Sequence, residues 1–167
     1  MSEAKYGEEF IKHEFDEAIA IQEAIVEGER DLATSHPVAA VKRTLKGMMK
    51  ADERYLKALK RLGQRHDATG MAEEVAEPLV NLMQATASSA GEAESEAYEA
   101  HAVLLALKRK QQDSAAAMLM IAREQGDTDL RDAARDFERG QKLSADTLSD
   151  SLGALAVRIA LADSAAA

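Results

Sequence analysis

The chain predicts an all-α four-helix bundle made of two antiparallel helical hairpins joined by one long crossover. Three observations carry that reading. Its 167 residues include only three Phe, three Tyr, no Trp and two Pro, while Ala, Leu, Glu and Lys abound, a mixture that favours helix over sheet. Apolar residues recur at three- and four-residue steps along four long stretches. Two of the breaks between those stretches are tight, whereas the middle one takes about 25 residues. One domain over residues 1–167 is expected, with a core at about 8–162 and the crossover at about 67–91.

The first helix is expected from Glu8 to Thr34, with Ile11, Phe15, Ala18, Gln22, Ile25, Glu29 and Leu32 on one face. Ser35, His36 and Pro37 end it and begin the second, with Ser35 or His36 near the cap and Pro37 in the first turn, where a missing N–H is harmless. The second helix aligns Val38, Val41, Leu45, Met48, Asp52, Tyr55, Leu59 and Leu62, and Gly63 and Gly70 bracket its end. Residues 71–90 read as a connection containing a short helix that is interrupted or restarted at Glu77-Pro78. The third long helix, about Glu92 to Glu124, aligns Ala97, His101, Leu104, Lys108, Gln111, Ala115, Met118 and Ala122. Gly126-Asp127-Thr128 reads as a turn with a capping residue. The fourth helix carries Leu130, Ala134, Phe137, Gln141, Ser144, Leu148, Leu152, Leu155 and Ile159, and the tail from Asp163 is expected to fray.

Composition narrows the chemistry. Without cysteine there are no disulfides, thiolate metal sites or cysteine nucleophiles. No leader pattern opens the chain and no apolar run is long enough to span a membrane, so a cytoplasmic protein is expected. The net charge of −9 is uneven. Residues 1–37 hold ten acidic and three basic side chains, and residues 38–66 hold nine basic and two acidic. A basic helix raises the question of an anionic partner, but the acidic remainder disfavours nucleic acid. No phosphate-cradling glycine loop, nucleophile elbow or catalytic triad is present.

Each apolar stripe has a polar residue at its middle: Gln22, Asp52, Gln111 and Gln141. Gln22 to Asp52 and Gln111 to Gln141 are both 30 residues apart, with Pro37 and Gly126 halfway, and an offset of 89 relates the two pairs. Fifteen residues down one helix and fifteen back up its neighbour return to one height, about 22 Å from the turn. The pattern is that of a diverged internal duplication, with all four side chains level inside the bundle.

On these residues the chain resembles the rubrerythrin and ferritin-like superfamily. The stretches Gln111 to Ser114, Gly126 to Arg131 and Glu138 to Ser144 carry the likeness, with Gln22, Pro37 and Asp52-Glu53-Arg54-Tyr55 following more loosely. It covers roughly residues 10–65 and 95–150. In that family each hairpin supplies a Glu and a Glu-x-x-His to two iron ions. The resemblance puts those ligands at Gln22, at Asp52 and Tyr55, at Gln111, and at Gln141 and Ser144. None of the six keeps the family residue and only Asp52 is a carboxylate, so the positions are vestigial and no metal or other cofactor is expected.

The resemblance with its substituted positions implies a non-catalytic bundle that binds or scaffolds; the Ala-rich long helices with charged flanks suggest a homo-oligomer (a dimer, for instance) or a protein partner. The alternative is a di-iron protein for iron binding, oxidation, peroxide handling or storage that uses the shifted acids Glu23, Glu27, Glu53 and Glu138. A further alternative is a module that takes an anionic partner on the basic second helix. Lys108, one turn before Gln111, is expected either to reach outward or to neutralise Asp52. Among the four histidines only His101 falls on an apolar stripe, near a bundle end, where a core or rim role is expected. Met48, Met49, Met118 and Met120 read as core filling.

Overall fold

The structure, a computed structural model, describes the backbone of residues 3–71 and 76–165 and the side chains of 7–71 and 76–162. Five α-helices form among the described residues: α1 (Glu3–Ser35), α2 (Ala39–Gly63), α3 (Ala76–Ser89), α4 (Glu94–Gln125) and α5 (Thr128–Ala165). A 3-10 turn, Gln64–His66, follows α2, and there is no strand among the described residues. No described helix is long and apolar enough to cross a membrane.

Each boundary has a local cause. His36 Nδ1 accepts the Val38 N–H at 3.0 Å, so the ring takes the place of a side-chain cap at the head of α2. Gly126 leaves α4 with φ 69°, and Asp127 Oδ1 then accepts the Leu130 N–H at 3.0 Å as the cap of α5. Glu77 and Pro78 sit inside the first turn of α3, which begins at Ala76, where the sequence places a restart. The expected break there falls partly on residues 72–75, which lie outside the described residues. α1 starts five residues earlier than the sequence suggests, and α5 continues through Asp163 to Ala165 instead of fraying there.

Helices α1 and α2 pack as one hairpin and α4 and α5 as another; α1 also packs on α4, and α2 on α5. The turn between α1 and α2 lies at the end where α4 begins, since His36 and His101 stack edge to face with ring centres 6.0 Å apart. The turn between α4 and α5 lies at the opposite end, where Arg65 pairs with Asp127. The crossover must then run the length of the bundle, and α3 lies along α1 and α4 on the way. Its approach to α1 is close because residue 28 is glycine: a methyl there would stand 3.0 Å from Met83. The crossover is anchored by Asp16, whose Oδ1 accepts the N–H groups of Thr69 and Gly70 at 2.6 and 2.8 Å. Burial raises the pKa of Asp16, but these bonds and Lys12 outweigh it and hold the acid below its usual range.

Two apolar clusters fill the interior. One, at the α1–α2 turn, is built on Ile25, Leu32, Leu45, Met83, Leu104 and Leu148. The other, toward the α4–α5 turn, is built on Phe15, Ile19, Leu59, Met118, Leu130 and Phe137. Polar side chains separate them.

Candidate functional site

The four residues singled out by the 30-residue spacing come together, buried, between the two clusters. Gln22 Nε2 donates to Asp52 Oδ1 at 2.8 Å within the first hairpin. Gln111 Nε2 donates to Gln22 Oε1 at 3.0 Å and to the Ala18 carbonyl at 2.8 Å. Gln141 Nε2 donates to Asp52 Oδ1 at 2.6 Å and to Gln22 Oε1 at 3.3 Å. Each residue thus bonds its own duplicate 89 positions away, Gln22 with Gln111 and Asp52 with Gln141. That is the geometry a two-fold relation between the hairpins requires. The layer also ties helices that stand diagonally across the bundle, α1 with α5 through Gln22 and Gln141, and α2 with α4 through Asp52 and Lys108.

Lys108 does not reach outward. Its side chain is fully buried, and its Nζ lies 2.8 Å from Asp52 Oδ2 and 2.7 Å from Glu29 Oε1. Glu29 stands on the α1 stripe, yet its place in the site is not marked by the 30-residue spacing, because it lies two turns from Gln22. Burial pushes its carboxyl up to about 8, with Lys108 opposing and the neighbouring Asp52 adding to the rise. Near neutral pH the Glu29 acid is therefore mostly protonated. Lys108 thus stands between two acids, and the one whose proton is held by burial is Glu29.

The duplication fails at these two residues. Counting 89 positions on from Glu29 gives Met118, and 89 back from Lys108 gives Ile19; both sit in the second apolar cluster. One side of the polar layer is thus charged and the equivalent side is greasy.

The two remaining candidates stay at the margin. Tyr55 is half-buried, tilts against Phe137 with ring centres 5.2 Å apart, and lays its hydroxyl over Gly140. Ser144 is half-buried and enters none of the layer's bonds. The shifted acids face away: Glu23 pairs with Lys60 at 2.5 Å, Glu53 with Arg30 at 3.6 Å, and Glu27 is exposed, while Glu138 is only half-buried.

Among the described residues no three His, Asp or Glu side chains meet at metal-binding spacing. A pair of divalent cations does not fit this donor set. Of the two carboxyl groups, Glu29 is mostly protonated, and Asp52 already spends one oxygen on Lys108 and the other on Gln22 and Gln141. What the arrangement does chemically is bind an ammonium group internally.

His101 is buried as expected, and its Nε2 meets the Leu148 carbonyl at 3.0 Å. His36, which the sequence places at a cap, is fully buried as well. It folds back over the helix end to accept from Val38. Burial, aided by the nearby His101 and Lys42, lowers the His36 pKa to about 4, and burial lowers that of His101. Met118 fills one apolar cluster and Met48 packs against the other, but Met120 is exposed and Met49 only half-buried, so those two do not fill core as the sequence suggests. No protein-family model matches this chain, and none of the curated proteins compared with it matches either.

Proposed function

We propose that the chain is a ferritin-like bundle in which an ion network centred on Lys108 takes the place of a di-metal centre, and that it acts by binding or scaffolding rather than by redox chemistry. The observation that carries this reading is the Lys108 ammonium, seated between Asp52 and Glu29 beside Gln22, Gln111 and Gln141. A cation fixed covalently in the middle of the bundle supplies the positive charge that metal ions would bring, without open coordination positions for a substrate. The connectivity, two antiparallel hairpins with one crossover, supports the same reading.

Cobalt titration, read by visible absorption and melting temperature, tests it. The protein should show no stoichiometric binding, and material from iron-supplemented cells should carry no iron. Tight binding of two ions per chain would overturn the proposal. The complementary variant combines Gln22→Glu, Asp52→Glu, Tyr55→His, Gln111→Glu, Gln141→Glu and Ser144→His with Lys108→Ile. It should bind two cobalt ions and be stabilised by them, because metal binds only the folded state. A folded variant that binds none would refute the correspondence with the family.

A further inference from the structure

Six basic side chains of α2, Arg43, Lys46, Lys50, Arg54, Lys57 and Arg61, are exposed, and none has an ion-pair partner among the described residues. Their steps of three and four residues place them in one row about 27 Å long on a single helix face. Acids at hand are engaged elsewhere: Glu23 holds Lys60, Glu53 holds Arg30 and Asp127 holds Arg65. Apart from Asp136, which shares a groove with Arg54, the row is left without a facing acid in a chain whose net charge is −9.

The row runs along the outward face of α2, and Arg54 is where it meets the seam between α2 and α5. Arg54 forms the edge of a groove of about 500 Å³ whose floor and walls include Tyr55, Ala58, Ala133 and Leu143. Farther along the seam a second groove, about 210 Å³, is walled by Val38, Val41, Ala154 and Leu155. Leu143, 70% exposed, stands at the edge of the larger groove. On the far side of the bundle α3 packs along both α1 and α4; among the described residues no helix packs on α2 and α5 in that way.

We propose that the α2–α5 seam docks an acidic amphipathic helix of a partner protein. Its apolar face would enter the two grooves, and carboxylates at every third or fourth position would meet the cation row. Both features are needed to choose this occupant. A cation row alone would suit nucleic acid, but the apolar walls of the grooves give a phosphate backbone nothing. A second copy meeting this face with its own would bring two cation rows together. The proposal rests on the binding role proposed above but not on the state of the polar layer, so a failure here and a failure of the cobalt experiment are distinguishable.

The test is fluorescence anisotropy with a labelled helical peptide that carries Leu at positions i, i+3, i+4 and i+7 and Glu along one flank. Saturable micromolar binding is expected, weakened by salt and at least tenfold weaker for a scrambled peptide of the same composition. Lys46→Glu/Lys50→Glu/Arg54→Glu should abolish it. Leu143→Asp should weaken it at least tenfold, and Lys46→Gln/Lys50→Gln/Arg54→Gln should weaken it in the same direction. All these positions are exposed, and circular dichroism checks that each variant folds. Any of four results would overturn the proposal. They are no saturable binding, equal binding of the scrambled peptide, tighter binding of a short DNA duplex, or self-association of the chain that the triple charge reversal removes.

Discussion

Lys108→Met is the most informative single change in the polar layer. It keeps an unbranched side chain out to the fourth atom and removes the ammonium that touches Asp52 Oδ2 and Glu29 Oε1. Glu29 is mostly protonated near neutral pH, so the charge left without a partner is that of Asp52. A buried carboxylate in that position is costly, and its escape is to take up a proton. An aspartic acid free in water titrates near 3.9, so forced protonation at pH 7 costs about 1.4 kcal/mol for each unit above that, or roughly 4 kcal/mol in all. Breaking a buried pair elsewhere costs about 3–5 kcal/mol, in agreement. The same reasoning makes the cost shrink to roughly 1–2 kcal/mol at pH 5, where protonation is easier. Urea unfolding at both pH values, followed by circular dichroism, measures it. Adding Asp52→Asn to Lys108→Met should return at least half of the loss at pH 7, since no bare charge remains. A cost below about 1 kcal/mol at pH 7, or one that does not change with pH, would refute the account of the network.

The raised pKa of Glu29 sets a second expectation. Between about 4.5 and 8 the folded state binds more protons at this group than the unfolded state, so its contribution is present at low pH and is lost as pH rises through 8. His36 acts oppositely, because its folded pKa near 4 lies below 6.5 and stability is lost as pH falls through that window; His101 adds in the same direction. Stability should therefore peak near pH 6.5, and Glu29→Gln should flatten the decline from pH 6.5 to 8 in a series of melts. Gly140→Ala puts a methyl on the Tyr55 hydroxyl and should cost about 1–3 kcal/mol, with Tyr55→Leu recovering most of it in the double variant; an additive double variant would disprove the contact. Asp16→Ala should cost about 1–3 kcal/mol by leaving two crossover N–H groups unpaired, and native-state hydrogen exchange at Thr69 and Gly70 should quicken. Unchanged exchange there would mean that Asp16 does not anchor the loop.

The helices and the polar layer were legible in the sequence because both follow from spacing. Periodicity of 3.6 residues sets which face is buried, and equal distances from two turns set which residues are level. Gln22, Asp52, Gln111 and Gln141 were found in that way, and the pairing of Lys108 with Asp52 was one of the two outcomes its position allowed. Glu29 was not assigned a role, since it sits on the stripe with no duplicate of like polarity, and only its distance to Lys108 reveals its part. The burial of His36 was hidden for a different reason. A histidine between Ser35 and Pro37 looks like turn chemistry, and nothing local says that its ring folds inward to cap α2 and stack on His101. The engagement of Asp16 with Thr69 and Gly70 spans more than fifty residues and leaves no periodic signal.

The broken duplication bears on how the two hairpins recognise each other. If two copies of the first hairpin paired in place of the native arrangement, Glu29 of each would face Ile19 of the other across the interior. If two copies of the second paired, Lys108 would be buried against Met118. Both mismatched assemblies strand an ionisable group in an apolar wall, and only the unlike pair brings acid to amine. The buried ions thus act as a pairing code, discriminating the correct intramolecular partner from the swapped dimers that an internally repeated sequence would otherwise permit.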